Sequence, residues 1–180
     1  MGSLVYSDTA ASNMITESVY IDGEWIETDD EIASRNPANT QEVVARVSKA
    51  DRNIATRAIG ASVEAQDEWE ALTQPKRGSY LRDAAEVVED EFDEITDLMI
   101  RELGKTEGSA RGEVQRTVDL LNYYAEVARD KGGTAPPSAS AQTLTYTKRE
   151  PLGTAAIITP WNFPIAIPTW KIAPALVAGN

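Results

Sequence analysis

The residue best placed to do chemistry is Asn162, which stands between Pro160 and Pro164 in the run Pro-Trp-Asn-Phe-Pro. The two prolines restrict the backbone on either side, so the amide side chain can be aimed in one direction. A fixed amide N–H is a good donor to the oxyanion that forms when a carbonyl carbon is attacked. The alternative role for such an asparagine is to cap the helix that follows, and the two roles are compatible.

Most other chemistry is excluded by residue type. The chain contains no cysteine and no histidine, which excludes disulfides, Cys/His zinc sites, a cysteine nucleophile and a histidine base within these residues. No metal site is expected. Gly104-Lys-Thr looks like the end of a phosphate-binding loop, but Met99 stands where that motif needs its first glycine. Any nucleophile must therefore come from elsewhere.

The net charge of the chain excludes some classes of binding partner. There are 29 acidic and 17 basic residues, for a formal net charge of −12, so neither nucleic acid nor an anionic membrane is an expected partner. The acid excess resembles that of proteins from salt-loving organisms, in which salt screens the repulsion between carboxylates. Neither a signal peptide nor a transmembrane stretch is recognisable, and a cytoplasmic location is predicted.

The N-terminal half must supply the scaffold. Asp22-Gly23 between two β-prone runs predicts a hairpin over residues 19–26. A turn over 35–40 and a strand over 42–47 follow. Asp51 is expected to cap a helix over 52–70. The buried face of this helix is predicted to consist of Ile54, Ala58, Ala61 and Ala65.

Two further long helices are predicted. One begins at Pro75 and buries a stripe that runs without interruption to Met99, while its acidic residues form a solvated face. The next spans 109–129 and buries Val114, Val118, Leu121 and Ala125. A loop over 131–137 ends it.

The C-terminal part predicts a parallel sheet. Residues 143–147 alternate like a strand, and the apolar run 153–159 is typical of a strand buried on both faces. A helix over 164–178 follows. Ligands of open α/β sheets bind where strands end, which is where Asn162 lies. The fold class is therefore α/β, and the sequence is expected to be the N-terminal fragment of a longer protein, because the next strand is missing.

These motifs together resemble the aldehyde dehydrogenase superfamily. The resemblance is carried by Pro160–Pro164 and Trp170–Asn180, and it extends over residues 19–180. It is also carried by four shorter runs, which are Asn36–Ala38, Glu102–Lys105, Asn122–Ala125 and Glu150–Gly153.

The resemblance implies the N-terminal part of the aldehyde dehydrogenase fold, a Rossmann-like NAD(P)-binding domain. Residues 1–18 form an unassigned tail and 19–142 the hairpin and helices of the coenzyme domain. Residues 143–151 begin an oligomerisation strand element, and 152–180 form the first, truncated strand–helix unit of the sheet. The catalytic domain is absent.

The resemblance also implies an activity, the oxidation of an aldehyde to the acid with NAD or NADP. In the family a cysteine attacks the carbonyl, the asparagine amide and a backbone N–H hold the oxyanion, hydride passes to the cofactor, and a glutamate-activated water frees the acid. The family's cysteine and glutamate come far downstream, so residues 1–180 alone are predicted to be inactive.

Site residues follow by matching the family's motif. Asn162 matches the oxyanion residue. The cofactor contacts are matched by Ile158, Thr159, Pro160 and Trp161. The aldehyde tunnel is matched by Phe163, Ile167 and Trp170. Arg116 matches a helix position that faces the tunnel mouth, and its guanidinium is expected to bind a substrate carboxylate through two hydrogen bonds. The alternative is a surface arginine paired with Glu113 or Asp119.

Within the family, residues Pro164–Trp170 and Lys171–Asn180 most resemble the branch that acts on 2-oxoglutarate semialdehyde (2,5-dioxovalerate). Succinate semialdehyde and a broad range of aliphatic aldehydes are the alternative substrates. The full-length protein is expected to form a homo-oligomer, a dimer or a tetramer. Two readings from other classes stay open at this point: a short non-catalytic chain that binds a partner through its apolar tail, and a small enzyme that uses only carboxylates.

Overall fold

The structure is a computed structural model, and it describes residues 14–130 and 132–180. Most of the predicted tail 1–18, and residue 131 of the predicted loop, lie outside the described residues. The strands are β1 (Ile15–Glu17), β2 (Val19–Ile21), β3 (Glu24–Ile26), β4 (Glu31–Arg35) and β5 (Val43–Ser48). The helices are α1 (Arg52–Ala71), α2 (Gln74–Asp90), α3 (Phe92–Leu103), α4 (Glu107–Val127) and α5 (Ala166–Ala178).

The predicted hairpin is confirmed. Strands β2 and β3 pair antiparallel, with Tyr20 opposite Trp25 and their ring centroids 4.9 Å apart. The two turn residues Asp22 and Gly23 have φ angles of 52° and 79°. Both therefore adopt the left-handed backbone that an Asp-Gly hairpin turn requires.

Two strands, β1 and β4, were not predicted from the sequence. β5 pairs in parallel with β1 and antiparallel with β4, giving the sheet order β1-β5-β4. Val44 in β5 is fully buried. β1 and β4 are short and carry polar residues, so their strand conformation depends on pairing with β5 rather than on local propensity.

Helix α1 begins as predicted but does not bury the predicted face. The Asp51 carboxylate accepts a hydrogen bond from the Ile54 backbone N–H at 2.8 Å. None of the α1 residues is buried, and Ala65 is exposed. Instead, Ala65 lines an open apolar cleft of about 330 Å³ between α1 and α5, which also includes Trp69 and Leu176.

The prediction of one continuous helix from Pro75 to Met99 is wrong. The helix breaks at Glu91, where φ is −97° and ψ is 15°. The break lets the two parts of the apolar stripe enter different clusters. Leu81 packs with α4 and α5, whereas Met99 packs with Ala110 and Val114.

Helix α4 is the centre of the packing. Its predicted stripe is confirmed, because Val114, Val118, Leu121 and Ala125 are all buried. Its contacts reach α2, α3 and α5. Each fully buried aliphatic side chain contributes about 1.5–3 kcal/mol, so α4 fixes where the other helices lie.

The strands predicted over 143–147 and 153–159 do not form within the described residues. The predicted burial of the second run is also wrong, since Leu152 beside it and Ile158 within it are almost fully exposed. A strand buried on both faces needs a paired neighbour and a covering layer. The described residues provide no paired strand for this run, and α1 and α5 only flank it across the open cleft.

The last helix is close to its prediction. α5 begins at Ala166 and contains Pro174, with Pro168 in its first turn, where the missing N–H costs no bond. Its C-terminal end is anchored by side chains from other helices: the Trp69 indole donates to the Leu176 carbonyl at 3.1 Å and Gln66 donates to that of Gly179 at 2.7 Å. No helix in the described part of the chain is long and apolar enough to cross a membrane.

Candidate functional site

Asn162 lies in the turn that leads into α5, here called the Asn162 turn (residues 160–165). Its side chain is exposed, and among residues 14–130 and 132–180 it has no hydrogen-bond partner. The flanking Pro160 and Pro164 limit the backbone of the turn. The amide is therefore free to donate to an external acceptor.

The alternative role of Asn162 as the helix cap is not what the structure shows. The N-cap position of α5 is Ile165, which has no capping side chain of its own. The backbone N–H groups of Ile165 and Ala166, which have no partner inside the helix, donate instead to Glu113 Oε1, at 3.1 and 3.2 Å. A residue from α4 thus does the work that sequence reasoning assigned to Asn162.

Glu113 is buried and paired. Its side chain has no exposed surface, and its second carboxylate oxygen accepts from Lys105 Nζ. The same Lys105 ammonium lies 4.3 Å from the centroid of the Phe163 ring, a cation–π distance. The Asn162 turn is therefore held at Phe163 and at Ile165 by one ion pair.

Sequence patterns gave Glu113 only as a possible partner of Arg116, and they assigned neither Glu113 nor Lys105 to the site. A signal was present, because Glu113 is spaced by four and eight residues from Thr117 and Leu121, which are buried on the same face of α4. A carboxylate inside an apolar stripe requires a partner. Nothing local showed that this partner includes the start of α5, 52 residues further on.

The residues predicted to contact the cofactor form one accessible segment. The side chains of Ile158 and Trp161 are 96% and 78% exposed, Pro160 is exposed and Thr159 is half-buried. Two broad apolar side chains open to solvent offer a surface on which a planar ring can stack. The structure places them together by chain continuity, directly before Asn162.

The residues predicted to line the tunnel lie along the first turns of α5. The backbone N–H of Ile167 donates to the Phe163 carbonyl at 3.3 Å, so these two residues are one turn apart. Trp170 follows Ile167 by three residues and is more than half exposed. The three side chains therefore rise from one short stretch beside Asn162.

Arg116 is exposed on α4, one turn after Glu113. Neither partner that the alternative reading required is paired with it: Glu113 binds Lys105, and Asp119 accepts from Gln115 at 3.0 Å. Within the described part of the chain Arg116 makes no ion pair. The spacing from Glu113 places it about 5 Å along α4 from the residue that touches the Asn162 turn.

Strands and helices in this order, with an exposed asparagine amide at the start of α5, define an α/β protein whose solved neighbours are aldehyde dehydrogenases. The predicted fold class is confirmed. The chain belongs to the aldehyde dehydrogenase family: its residues 25–180 match the model of that family. The resemblance stated from the motifs is thereby confirmed as well.

Two curated relatives are similar over most of the chain. An alpha-ketoglutarate semialdehyde dehydrogenase of Haloferax volcanii, a halophile, is 46% identical over 163 residues, which is 89% of this chain and 34% of the relative. A 2,5-dioxopentanoate dehydrogenase of Saccharolobus solfataricus is 43% identical over 157 residues, 87% of this chain and 33% of the relative. The chain thus spans about a third of the length of the curated relatives that it matches.

Two solved structures superpose on 92% of the chain. One is a betaine aldehyde dehydrogenase double mutant of Staphylococcus aureus in complex with NAD+, with a TM-score of 0.86, 32% identity and 34% of that chain covered. The other is a 3,6-anhydro-L-galactose dehydrogenase in complex with NADP, with a TM-score of 0.83, 34% identity and 35% covered. Members of this family therefore bind a nicotinamide cofactor of either kind.

Proposed function

We propose that the full-length protein is an NAD(P)-dependent aldehyde dehydrogenase and that Asn162 stabilises the oxyanion. The observation that carries this proposal is the exposed Asn162 amide, which has no partner among the described residues and is relieved of helix capping by Glu113. When a thiolate from outside these residues attacks the aldehyde carbon, the carbonyl electron pair moves to oxygen. The Asn162 Nδ2–H then donates to that oxyanion.

The nicotinamide cofactor supplies a hydride acceptor when bound. Within this chain the exposed side chains of Ile158 and Trp161 fit one face of such a ring, with Thr159 and Pro160 setting the backbone between them. Use of a soluble nicotinamide cofactor supports the expected cytoplasmic location.

The substrate class is an aldehyde that carries a carboxylate at its far end. Phe163, Ile167 and Trp170 are apolar and lie on the short stretch that follows Asn162. The guanidinium of Arg116, which makes no ion pair within residues 14–130 and 132–180, is available for a bidentate carboxylate contact. The names of the two curated relatives support 2-oxoglutarate semialdehyde as the substrate. Succinate semialdehyde shares the carboxylate and is the second candidate.

Residues 143–151 are the proposed start of an oligomerisation element. The Thr147 and Arg149 N–H groups donate to the carbonyls of Thr134 and Gly132, at 2.8 and 2.9 Å. Leu144 and Tyr146 in the same segment are 80% and 69% exposed. A segment that exposes two large apolar side chains and belongs to no sheet within the described residues is suited to strand addition by a second copy of the chain, which supports a homo-oligomer.

The test is to assay the full-length gene product with the variant Asn162→Ala. Loss of one oxyanion donor lowers kcat by about 10²–10³-fold, and the KM for the cofactor is expected to stay unchanged. The matched control is Asn122→Ala, since Asn122 is an exposed asparagine on α4. An Asn162→Ala enzyme with a kcat within about threefold of wild type would refute the assignment.

The substrate class is tested with Arg116→Met in the same protein. The variant is expected to raise the KM for 2-oxoglutarate semialdehyde and for succinate semialdehyde by about tenfold, the size of one charged hydrogen-bond contact. Butanal, which has no carboxylate, serves as the control substrate and should be unaffected. Equal effects on all three aldehydes would show that Arg116 does not read the carboxylate.

A further inference from the structure

We propose that Glu113 and Lys105 are positioning residues for the oxyanion site, because together they hold the turn that carries Asn162. The inference rests on the proposed dehydrogenase function and assigns to it two residues with no direct part in the chemistry. Glu113 caps α5 from α4, and Lys105 holds Glu113 while it covers Phe163.

The cap is unusual because it comes from another element. The first N–H groups of a helix have no partner inside the helix, and a local Ser, Thr, Asp or Asn normally accepts from them. In α5 the N-cap residue is Ile165, which has no acceptor in its side chain. Glu113 Oε1 accepts from both Ile165 and Ala166, so the start of α5 is fixed in relation to α4.

Lys105 holds the Asn162 turn at Phe163, the residue before Pro164, whereas Glu113 holds it at Ile165, the residue after Pro164. Its ammonium neutralises the buried Glu113 carboxylate, whose desolvation would otherwise be costly. It also lies against the Phe163 ring, and Phe163 directly follows Asn162. The two contacts thus bracket the turn, one at Phe163 and one at Ile165.

Few other contacts fix this turn. In the described part of the chain, residues 160–165 are hydrogen-bonded to α5, which directly follows them, and to only one other element, α4, through the bond of Ile165 with Glu113. The Ile165 side chain packs on the cluster of Met99, Ala110 and Val114, which restrains the end of the turn but not its middle. A misplacement of about 1 Å at a reacting group costs about 10²-fold in rate, so loss of the ion pair should be visible in catalysis.

The test uses two variants of the full-length protein. Glu113→Gln keeps the shape and one acceptor oxygen but removes the charge that binds Lys105. Lys105→Met keeps an apolar side chain near Phe163 but leaves the Glu113 carboxylate without its cation. The matched controls are Arg82→Met and Glu126→Gln, which break an exposed ion pair between α2 and α4.

Two measurements are expected to change together. The kcat for the aldehyde should fall at least tenfold in both variants, with the KM for the cofactor unchanged. Hydrogen exchange of the Ile165 and Ala166 amides should become about tenfold faster, the equivalent of one charged hydrogen bond. The two controls should change neither quantity by more than about twofold, and Lys105→Arg, which keeps a cation, should stay within about threefold of wild type.

A double-mutant cycle separates positioning from general stability. If Glu113 acts through Asn162, Glu113→Gln should cost less than twofold in kcat when Asn162 is already alanine. If Glu113 only supports the fold, its full effect should persist in that background. Should Glu113→Gln fail to fold, the same cycle is run with Lys105→Met.

The outcomes are distinguishable. A full effect in the Asn162→Ala background, or unchanged exchange at Ile165 and Ala166, would overturn the positioning role. Faster exchange in both variants, together with no reduction of either cofactor by the wild-type protein with any aldehyde, would refute the proposed function instead. In that case the part of the inference concerning the fixed turn would be supported by the exchange data alone.

Discussion

Arg77 is predicted to tie the C-terminal ends of two helices together, and its removal should loosen α5. The residue is 8% exposed, and its Nε donates to the Val177 carbonyl of α5 at 3.0 Å. Its Nη1 donates to the carbonyls of Glu70, at 3.1 Å, and of Leu72, at the end of α1. The last carbonyls of a helix lack internal partners and attract cations.

The magnitude can be worked out bond by bond for the variant Arg77→Met. The buried bond to Val177 contributes about 2 kcal/mol net, as hydrogen bonds to charged groups do. The two partly buried bonds to Glu70 and Leu72 contribute about 0.5 kcal/mol each, since water can replace them. Opening of the end of α5 should therefore become easier by about 3 kcal/mol, which corresponds to about a hundredfold.

Hydrogen exchange of the amides in the last two turns of α5 measures this directly, since it reports local opening. The control is Arg82→Met, on the same helix as Arg77 (α2), because the exposed Arg82–Glu126 pair should contribute less than about 1 kcal/mol. The pKa of the Arg77 guanidinium is lowered, because the effect of burial outweighs the opposite effect of the nearby Glu70 carboxylate. If Arg77→Met accelerates exchange no more than Arg82→Met does, the carbonyls have found other partners and the reasoning fails.

Two further perturbations follow from contacts outside α5. Hydrogen bonds from Asn36 and Arg101 lower the pKa of the Glu42 carboxyl, so the stability that Glu42 contributes is present above pH about 4.3 and is lost as the pH falls through its folded-state pKa. Glu42→Gln should therefore flatten the fall in stability on acidification, as followed by unfolding in urea between about pH 5 and pH 2, and an unchanged slope would contradict this. A Cβ on Gly133 would clash with the Thr147 carbonyl oxygen, so Gly133→Ala should separate the two segments and break the bonds made by Thr147 and Arg149, at a cost of about 2 kcal/mol. Sedimentation should then show a weakened oligomer, whereas Gly108→Ala, where a Cβ meets nothing, is the control.

Local patterns predicted local structure well. The Asp22-Gly23 turn, the Asp51 cap and the apolar stripe of α4 are all as expected. Each depends on residues within a few positions of one another, where backbone preference and side-chain spacing decide the outcome. The Glu91 break was missed because an apolar stripe continues through it, and only packing on two separate clusters reveals the change of direction.

Strand assignments failed where pairing was distant. Strands β1 and β4 exist because β5 lies between them, although neither has a strong strand pattern of its own. The reverse holds for residues 153–159, whose apolar run is strand-like but pairs with no strand in the described part of the chain. A strand is completed by hydrogen bonds to another segment, which propensity alone does not supply.

The candidate site shows the same contrast between what local sequence predicts and what distant contacts decide. Sequence by itself determined the Pro160–Pro164 run, the type of residue that it presents, and the absence of a cysteine or histidine that could act with it. Only the tertiary structure decided that Asn162 does not cap α5, because that task falls to Glu113, a residue distant in the chain. Motifs record which chemical groups are available, whereas burial and long-range hydrogen bonds determine which of those groups are left free to act.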